Sequence, residues 1–141
     1  QPAPKPEPKV ITRKVEKKVP VKLHEERFYK IREADAEGNK AQMKRVADFL
    51  KEYPEAKVTV VGYADKGTGN AALNVKYAKQ RADQYKKELV DSYGADASRI
   101  ITDSKGDKVQ PFAENDKNRC VIVDGEAEKV VIETVTETVN E

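Results

Sequence analysis

The chain has few of the residues that form crosslinks, metal sites or nucleophilic centres. Its 141 residues include one cysteine, one histidine and no tryptophan. A single cysteine excludes an internal disulfide. Cys120 lies in an apolar run, which predicts a buried, inert thiol, and His24 is too far along the chain to indicate a cysteine–histidine pair. With no metal-ligand cluster and no phosphate-binding loop motif, we expect a protein that is not an enzyme and needs neither metal nor cofactor.

Long apolar runs are lacking as well. Hydrophobic residues make up 38% of the chain and charged residues 37%. No stretch approaches the roughly 20 apolar residues that span a bilayer. The first residues also lack the apolar core of a signal peptide, so we expect this chain to be a piece of a longer protein.

Charge is divided unevenly along the chain and predicts three segments. Residues 1–22 hold seven Lys or Arg against two Glu, residues 126–141 hold five Glu against one Lys, and residues 23–125 are almost neutral. Alternating prolines in residues 1–22 indicate an extended, basic linker. Because this linker lacks aromatic residues that stack on bases, we expect no nucleic-acid partner. Binding to an anionic surface through the basic arm is left open as an alternative function. The acidic tail is predicted to be disordered or an edge strand, with a preference for frayed chain.

Residues 23–125 show a pattern typical of one small folded domain. Helical spacing of apolar residues predicts one helix that Asn39 caps and Pro54 ends, and a second over residues 71–93 that Gly94 ends. Val58-Thr59-Val60-Val61 reads as a central strand buried on both faces. Short β-branched or apolar runs predict the remaining strands, at residues 27–31, 99–102 and 120–123. The order β-α-β-α-β-β favours an α/β sandwich (α+β), with two helices on one face of a small mixed sheet.

Three polar residues around the second helix are candidates for a binding site. Asp65 follows the central strand, while Asn74 and Arg81 lie seven residues apart and therefore on one face of the helix. A carboxylate and a guanidinium, with loop amides between them, can bind the ammonium and carboxylate of a zwitterion. A salt bridge between Asp65 and Arg81 that clamps loop to helix explains the same residues, and both interpretations stay open.

A set of short motifs recurs at characteristic spacing along the chain: Gly62-Tyr63-Ala64-Asp65, Asn74, Gln80-Arg81-Ala82, Arg99-Ile100 and Asn118-Arg119-Cys120-Val121. Over about residues 26–124 this set resembles the OmpA-like C-terminal domain family. Three departures stand out. Ala64 replaces the family's usual threonine, Tyr77-Ala78 replaces its usual Leu-Ser, and the loop Arg32-Glu33-Ala34-Asp35 is more charged than the family leads us to expect. These changes bear on the affinity of the site and on which isomer of its ligand fits.

The resemblance implies a function and a location. It implies that Asp65 and Arg81 bind the diaminopimelate of the peptidoglycan stem peptide, that Asn74 shapes the pocket, and that Arg119 is mainly structural. It also implies a periplasmic domain tethered to an outer-membrane barrel or anchor, which would hold the outer membrane to the cell wall. A homodimer is compatible with this reading. A structural adaptor whose main partner is another envelope protein remains the competing hypothesis.

Overall fold

A computed structural model describes residues 8–34 and 40–139 of the chain. The elements follow the predicted order β-α-β-α-β-β, with two short 3-10 helices inserted, at Ala97–Arg99 and Asn115–Asn118. They are β1 (Lys9–Phe28), α1 (Lys40–Glu52), β2 (Val58–Tyr63), α2 (Ala71–Tyr93), β3 (Ile100–Gly106) and β4 (Cys120–Val139). Neither helix of the described ranges is long and apolar enough to cross a membrane.

The chain divides into two compact units. One unit comprises Gln1–Val21 with Glu128–Glu141, and the other comprises Lys22–Ala127. In the first unit, residues 9–21 of β1 pair with residues 128–139 of β4 as neighbouring strands. Residues 9–21 therefore form a strand instead of continuing the predicted spacer, and of the two alternatives for the acidic tail the structure shows the strand. The alternating prolines before residue 8 lie outside the described residues.

Alternating charge and branched side chains explain this pairing in the first unit. Arg13 contacts Glu137 at 2.8 Å, and Lys17 lies 3.8 Å from Glu133. Residue numbers increase along β1 from Arg13 to Lys17 while those of their partners in β4 decrease from Glu137 to Glu133. The two strands therefore run antiparallel. Val15 lies midway between Arg13 and Lys17, and Val135 midway between Glu133 and Glu137. Branched side chains of this kind favour extended chain. These exposed ion pairs individually contribute little stability.

The second unit contains a sheet whose strand order is β1-β4-β2-β3. Strand β2 lies parallel to β3 and antiparallel to β4, so it is central, as predicted. The expectation that β2 is buried on both faces is wrong. Val58 and Val60 are fully buried, whereas Thr59 is exposed and Val61 half-buried. Helix α2 packs against β2 and β3, and α1 packs against α2. Burial therefore alternates along β2 because the helices cover the face of Val58 and Val60.

Helix α2 has the predicted bounds and well-defined ends. The side chain of Asn70 accepts a hydrogen bond from the Leu73 amide, and Gly94 ends the helix in the left-handed conformation with φ 68°. In its middle, α2 approaches β2 so closely that a Cβ on Gly62 would lie 1.8 Å from the carbonyl oxygen of Ala78. The missing side chain at Gly62 thus sets the distance between helix and sheet. For α1, the predicted cap Asn39 lies outside the described residues.

A histidine between two carboxylates makes the stability of this unit depend on pH. The ring nitrogens of His24 contact Glu26 and Asp124, whose hydrogen bonds and charges raise the pKa of His24. A group with a raised folded-state pKa stabilises fully below its unfolded pKa, about 6.5, and loses that contribution as the pH rises through its folded pKa. Because the ring is about half exposed, the contribution is below about 1 kcal/mol.

We therefore expect His24→Gln to lower the urea midpoint at about pH 6, and the difference from wild type to shrink towards about pH 9 as the pH rises through the raised pKa of His24. The measurement is urea unfolding of both proteins at the two pH values. A difference that stayed the same, or grew towards high pH, would contradict the assignment of this ion pair.

Candidate functional site

The three predicted site residues line one small pocket, where β2 ends and α2 begins. Asp65, Asn74 and Arg81 are 1%, 6% and 2% exposed. The cavity between them measures about 20 Å³, which is room for about one water molecule. The other residues around it come from the turn after β1, the loop before α2, α2 itself and the position just before β4: Ile31, Arg32, Ala64, Thr68, Gly69, Leu73, Tyr77 and Arg119.

Asp65 is a buried carboxylate held in its ionised form. Its Oδ1 accepts a hydrogen bond from the Thr68 hydroxyl at 2.7 Å, and its Oδ2 accepts one from the Asn115 side-chain amide at 2.9 Å. The Arg119 guanidinium lies 3.5 Å from Oδ1. Burial by itself raises the pKa of Asp65, but these hydrogen bonds and the positive charge of Arg119 outweigh it, so the pKa is lowered.

Arg81 is held mainly by the main chain. Its Nε donates to the carbonyl of Glu33 at 2.9 Å, Nη1 donates to Tyr63 at 2.9 Å, and Nη2 donates to Lys30 at 3.5 Å. Burial lowers the pKa of this guanidinium. The predicted alternative of a salt bridge between Asp65 and Arg81 is not found among the described residues, where the ion pair of Asp65 is with Arg119. Arg81 therefore joins strand end, turn and helix without using Asp65.

Asn74 connects the helix start to two neighbouring loops. Its side-chain amide donates to the main-chain carbonyl of Asp65 at 3.2 Å and to the Asp107 carboxylate at 3.0 Å. Gly69, with φ 69°, lies so close that an added Cβ would sit 2.9 Å from the Asn74 amide oxygen. Asn74 thus ties the start of α2 to the loops that carry Asp65 and Asp107, beside the pocket.

Sequence reasoning missed part of the site. Arg119, which the resemblance marks as mainly structural, lines the pocket, pairs with Asp65 and also donates its Nε to the Tyr29 carbonyl at 3.0 Å. Asn115 reaches Asp65 across 50 positions of the sequence. Its surrounding sequence reads as a plain polar loop, so no local pattern could reveal it. The one usable signal was Arg119 itself, a charged residue directly before a buried strand.

The turn at the pocket rim has an unusual backbone. The Glu33 amide donates to the Lys30 carbonyl at 3.1 Å, which closes a β-turn with Arg32 at its third position. Arg32 has φ 60° and is the sole non-glycine residue with positive φ in the described ranges. Glycine usually occupies such a position, because the left-handed region costs other residues roughly 1–2 kcal/mol. The turn aims two carbonyls at Arg81 and exposes the Arg32 side chain beside the cavity.

Groups elsewhere in the described part of the chain do not form a second reactive centre. Cys120 is fully buried, as predicted, and burial raises the pKa of its thiol to about 12. His24 contacts carboxylates. No three His, Cys, Asp or Glu side chains within residues 8–34 and 40–139 are grouped to hold a metal ion.

Comparison with known proteins identifies the fold and its family. The model of the OmpA family matches residues 35–121. Outer membrane protein 41 of Porphyromonas gingivalis is 45% identical over 78 residues, which are 55% of this chain and 19% of that protein. Peptidoglycan-binding protein ArfA of Mycobacterium bovis is 40% identical over 73 residues, 52% of this chain and 22% of that protein. The matched region is thus about a fifth of the length of these relatives.

A solved structure agrees in fold. The peptidoglycan-associated lipoprotein from Burkholderia pseudomallei superposes with a TM-score of 0.62 at 16% identity, covering 77% of this chain and 89% of that one. This likeness confirms the mixed α+β architecture that the residue pattern predicted. The family match, which extends over more than half of the residues, confirms the resemblance of the motifs. The chain belongs to the OmpA family.

Proposed function

We propose that this chain binds peptidoglycan without chemistry, through the diaminopimelate of its stem peptide. The single observation that carries the proposal is the burial of a carboxylate and a guanidinium, Asp65 and Arg81, around one cavity in a domain of this family. Charged groups are rarely buried unless they are paired. Opposite charges held in fixed positions at one pocket are suited to a ligand end that carries both an ammonium and a carboxylate.

Both groups keep bonding capacity for a ligand. A carboxylate has about four acceptor positions, and Asp65 accepts from Thr68 and Asn115. An arginine has five N–H donors, and three of those of Arg81 go to main-chain carbonyls. One N–H then remains on each terminal nitrogen, the arrangement that binds a carboxylate in bidentate fashion.

The ligand end has to enlarge the cavity. A space of about 20 Å³ admits one water but not an ammonium with a carboxylate. Asp65, Arg81 and Asn74 are anchored by several hydrogen bonds each. Arg32 and Tyr77 are less buried and lie at the rim. We therefore infer that ligand entry displaces the side chains of Arg32 and Tyr77 while Asp65 and Arg81 stay in place.

The relatives support a role at the cell wall. ArfA, which is 40% identical over its matched region, is named a peptidoglycan-binding protein, and other relatives are named outer membrane proteins. Under our proposal this chain works in the periplasm, tethered to an outer-membrane anchor. The binding then links the outer membrane to the wall without cutting or joining it.

The alternative of an electrostatic binder receives less support from the structure. Basic residues of β1 lie opposite acidic residues of β4, as in Arg13 with Glu137 and Lys18 with Glu128. A surface whose positive charges are locally compensated attracts polyanions weakly. The hypothesis of a protein-binding adaptor makes a different prediction. An adaptor should not bind purified peptidoglycan that contains no protein, whereas our proposal expects this chain to do so.

The test is sedimentation of the pure chain with protein-free peptidoglycan sacculi. We expect Asp65→Asn to weaken binding at least about thirtyfold, because the ligand ammonium then lacks its partner carboxylate. Losing one member of a buried charge pair typically costs about 2–5 kcal/mol. Asp83→Asn is the matched control, since Asp83 is an exposed carboxylate on α2 that pairs with Lys79. It should bind as the wild type does.

Equal binding by Asp65→Asn and Asp83→Asn, with both variants folded by circular dichroism, would remove the site from the proposal. Wild-type chain that stays in the supernatant would favour the adaptor. Release of soluble wall fragments by the pure protein would contradict the absence of catalysis.

A further inference from the structure

The pocket carries more positive charge than a zwitterion can balance. Its charged lining residues are Arg32, Arg81 and Arg119 against the single carboxylate of Asp65, a surplus of two positive charges. A zwitterionic ligand end brings one charge of each sign and leaves that surplus unchanged. Within the pocket, Asp65 already pairs with Arg119. The proposed ligand carboxylate goes to Arg81, so Arg32 is left without an anion.

The side chain of Arg32 has no structural task that the fold reveals. It is exposed, lines the cavity and makes no hydrogen bond or ion pair within the described part of the chain. The carbonyls that the turn aims at Arg81 belong to Lys30 and Glu33. These contacts need the backbone of the turn, and glycine at position 32 would provide that backbone with less strain. Strained backbone of this kind is concentrated at functional sites.

We propose that Arg32 binds a second carboxylate of the same ligand, outside its zwitterionic end, so that the pocket selects stem peptides with a free acid over those with an amide. This inference rests on the proposed function. A carboxylate accepts charge-assisted hydrogen bonds from a guanidinium, whereas a carboxamide offers one neutral oxygen. Two positions of the stem peptide carry the required chemistry, the glutamyl carboxyl and the carboxyl at the chain end.

The probes are three synthetic alanyl-glutamyl-diaminopimelate peptides, all with an intact zwitterionic end. One has both other carboxyls free, one is amidated at the glutamyl carboxyl, and one is amidated at the chain end. We expect the wild-type chain to bind the free acid about tenfold more tightly than one of the two amides, which is the effect of about 1.4 kcal/mol. The amide that loses affinity identifies the carboxylate that Arg32 contacts. Calorimetric titration measures each dissociation constant.

Three variants connect the preference to Arg32. Arg32→Gln should lose the preference because the free acid binds more weakly, while the amide that binds poorly to wild type binds as before. Lys76→Gln removes one exposed positive charge from α2 outside the pocket and should keep the full preference. Arg32→Gly should also lose the preference, with a melting temperature equal to or above that of the wild type.

The outcomes separate this inference from the proposed function. Wild-type chain that binds none of the three peptides contradicts both. Wild-type chain that binds all three equally, or Arg32→Gln that keeps the preference, overturns the role of Arg32 while peptide binding stands. A lower melting temperature for Arg32→Gly would show that the guanidinium serves the fold, which also overturns it.

Discussion

Replacing Gly62 by alanine is expected to destabilise the domain by about 4 kcal/mol, near the upper end of what single substitutions cause. The added Cβ would lie 1.8 Å from the carbonyl oxygen and 2.8 Å from the carbonyl carbon of Ala78. Both atoms belong to the backbone of α2, so no side-chain rotation relieves the overlap. The helix has to move away from β2, which loosens a core packed at nearly crystalline density.

Urea unfolding measures this effect, and Gly94→Ala is the matched control. Gly94 also has no side chain, but an added Cβ there would meet no atom within 4 Å. Its φ of 68° limits the cost to about 1 kcal/mol of backbone strain. Similar losses for the two variants would mean that α2 does not approach β2 as closely as the structure shows.

Arg81→Ala is expected to abolish peptidoglycan binding and also to lower the free energy of unfolding by about 3 kcal/mol. Arg81 is 2% exposed and donates to the carbonyls of Glu33, Tyr63 and Lys30. Removing a buried donor leaves its acceptors without partners, and each such loss costs about 1–3 kcal/mol when water cannot replace it. The prediction thus differs from that for a residue that only contacts ligand, whose loss leaves stability unchanged.

Two further variants separate charge from geometry. Arg81→Lys keeps the charge but cannot make the planar set of hydrogen bonds, so we expect it to lose binding and to recover only part of the stability. Lys76→Ala removes an exposed charge from the same helix and should alter stability by less than about 0.5 kcal/mol. Melting curves and sedimentation with sacculi measure both properties. If Arg81→Ala were as stable as the wild type, the prediction that Arg81 also stabilises the fold would be contradicted.

Local sequence patterns were sufficient for most of the fold. Helical spacing over residues 71–93, followed by Gly94, predicts α2, whose ends the structure confirms. The β-branched run Val58-Thr59-Val60-Val61 predicts the central strand, because strand propensity acts over a few residues, and the structure extends that strand to Tyr63. Its burial on both faces was predicted wrongly. An apolar run reports that a strand is central, but whether the second face is covered depends on how many helices pack there.

For the candidate site, too, some features could be predicted from local sequence and others could not. Helical periodicity and strand order suffice to bring Asp65, Asn74 and Arg81 together, since those contacts span one strand-loop-helix unit. The partners of these residues were not predictable. Arg81 donates to carbonyls of a turn about 50 residues earlier, and Asp65 accepts from Asn115, 50 residues later. Main-chain carbonyls leave no trace in the sequence, because every residue has one.

The sequence alone determined the α+β class, the order of helices and strands and the family, and it named three residues that line one pocket. These depend on side-chain periodicity and on motifs that stand close together along the chain. Only the tertiary structure decided that Arg119 rather than Arg81 pairs with Asp65. It also decided that residues 9–21 of β1 pair with residues 128–139 of β4, and that Arg32 has a positive φ beside the cavity. Each of these outcomes depends on which distant segments meet, and that is set by the packing of the whole domain rather than by any local pattern.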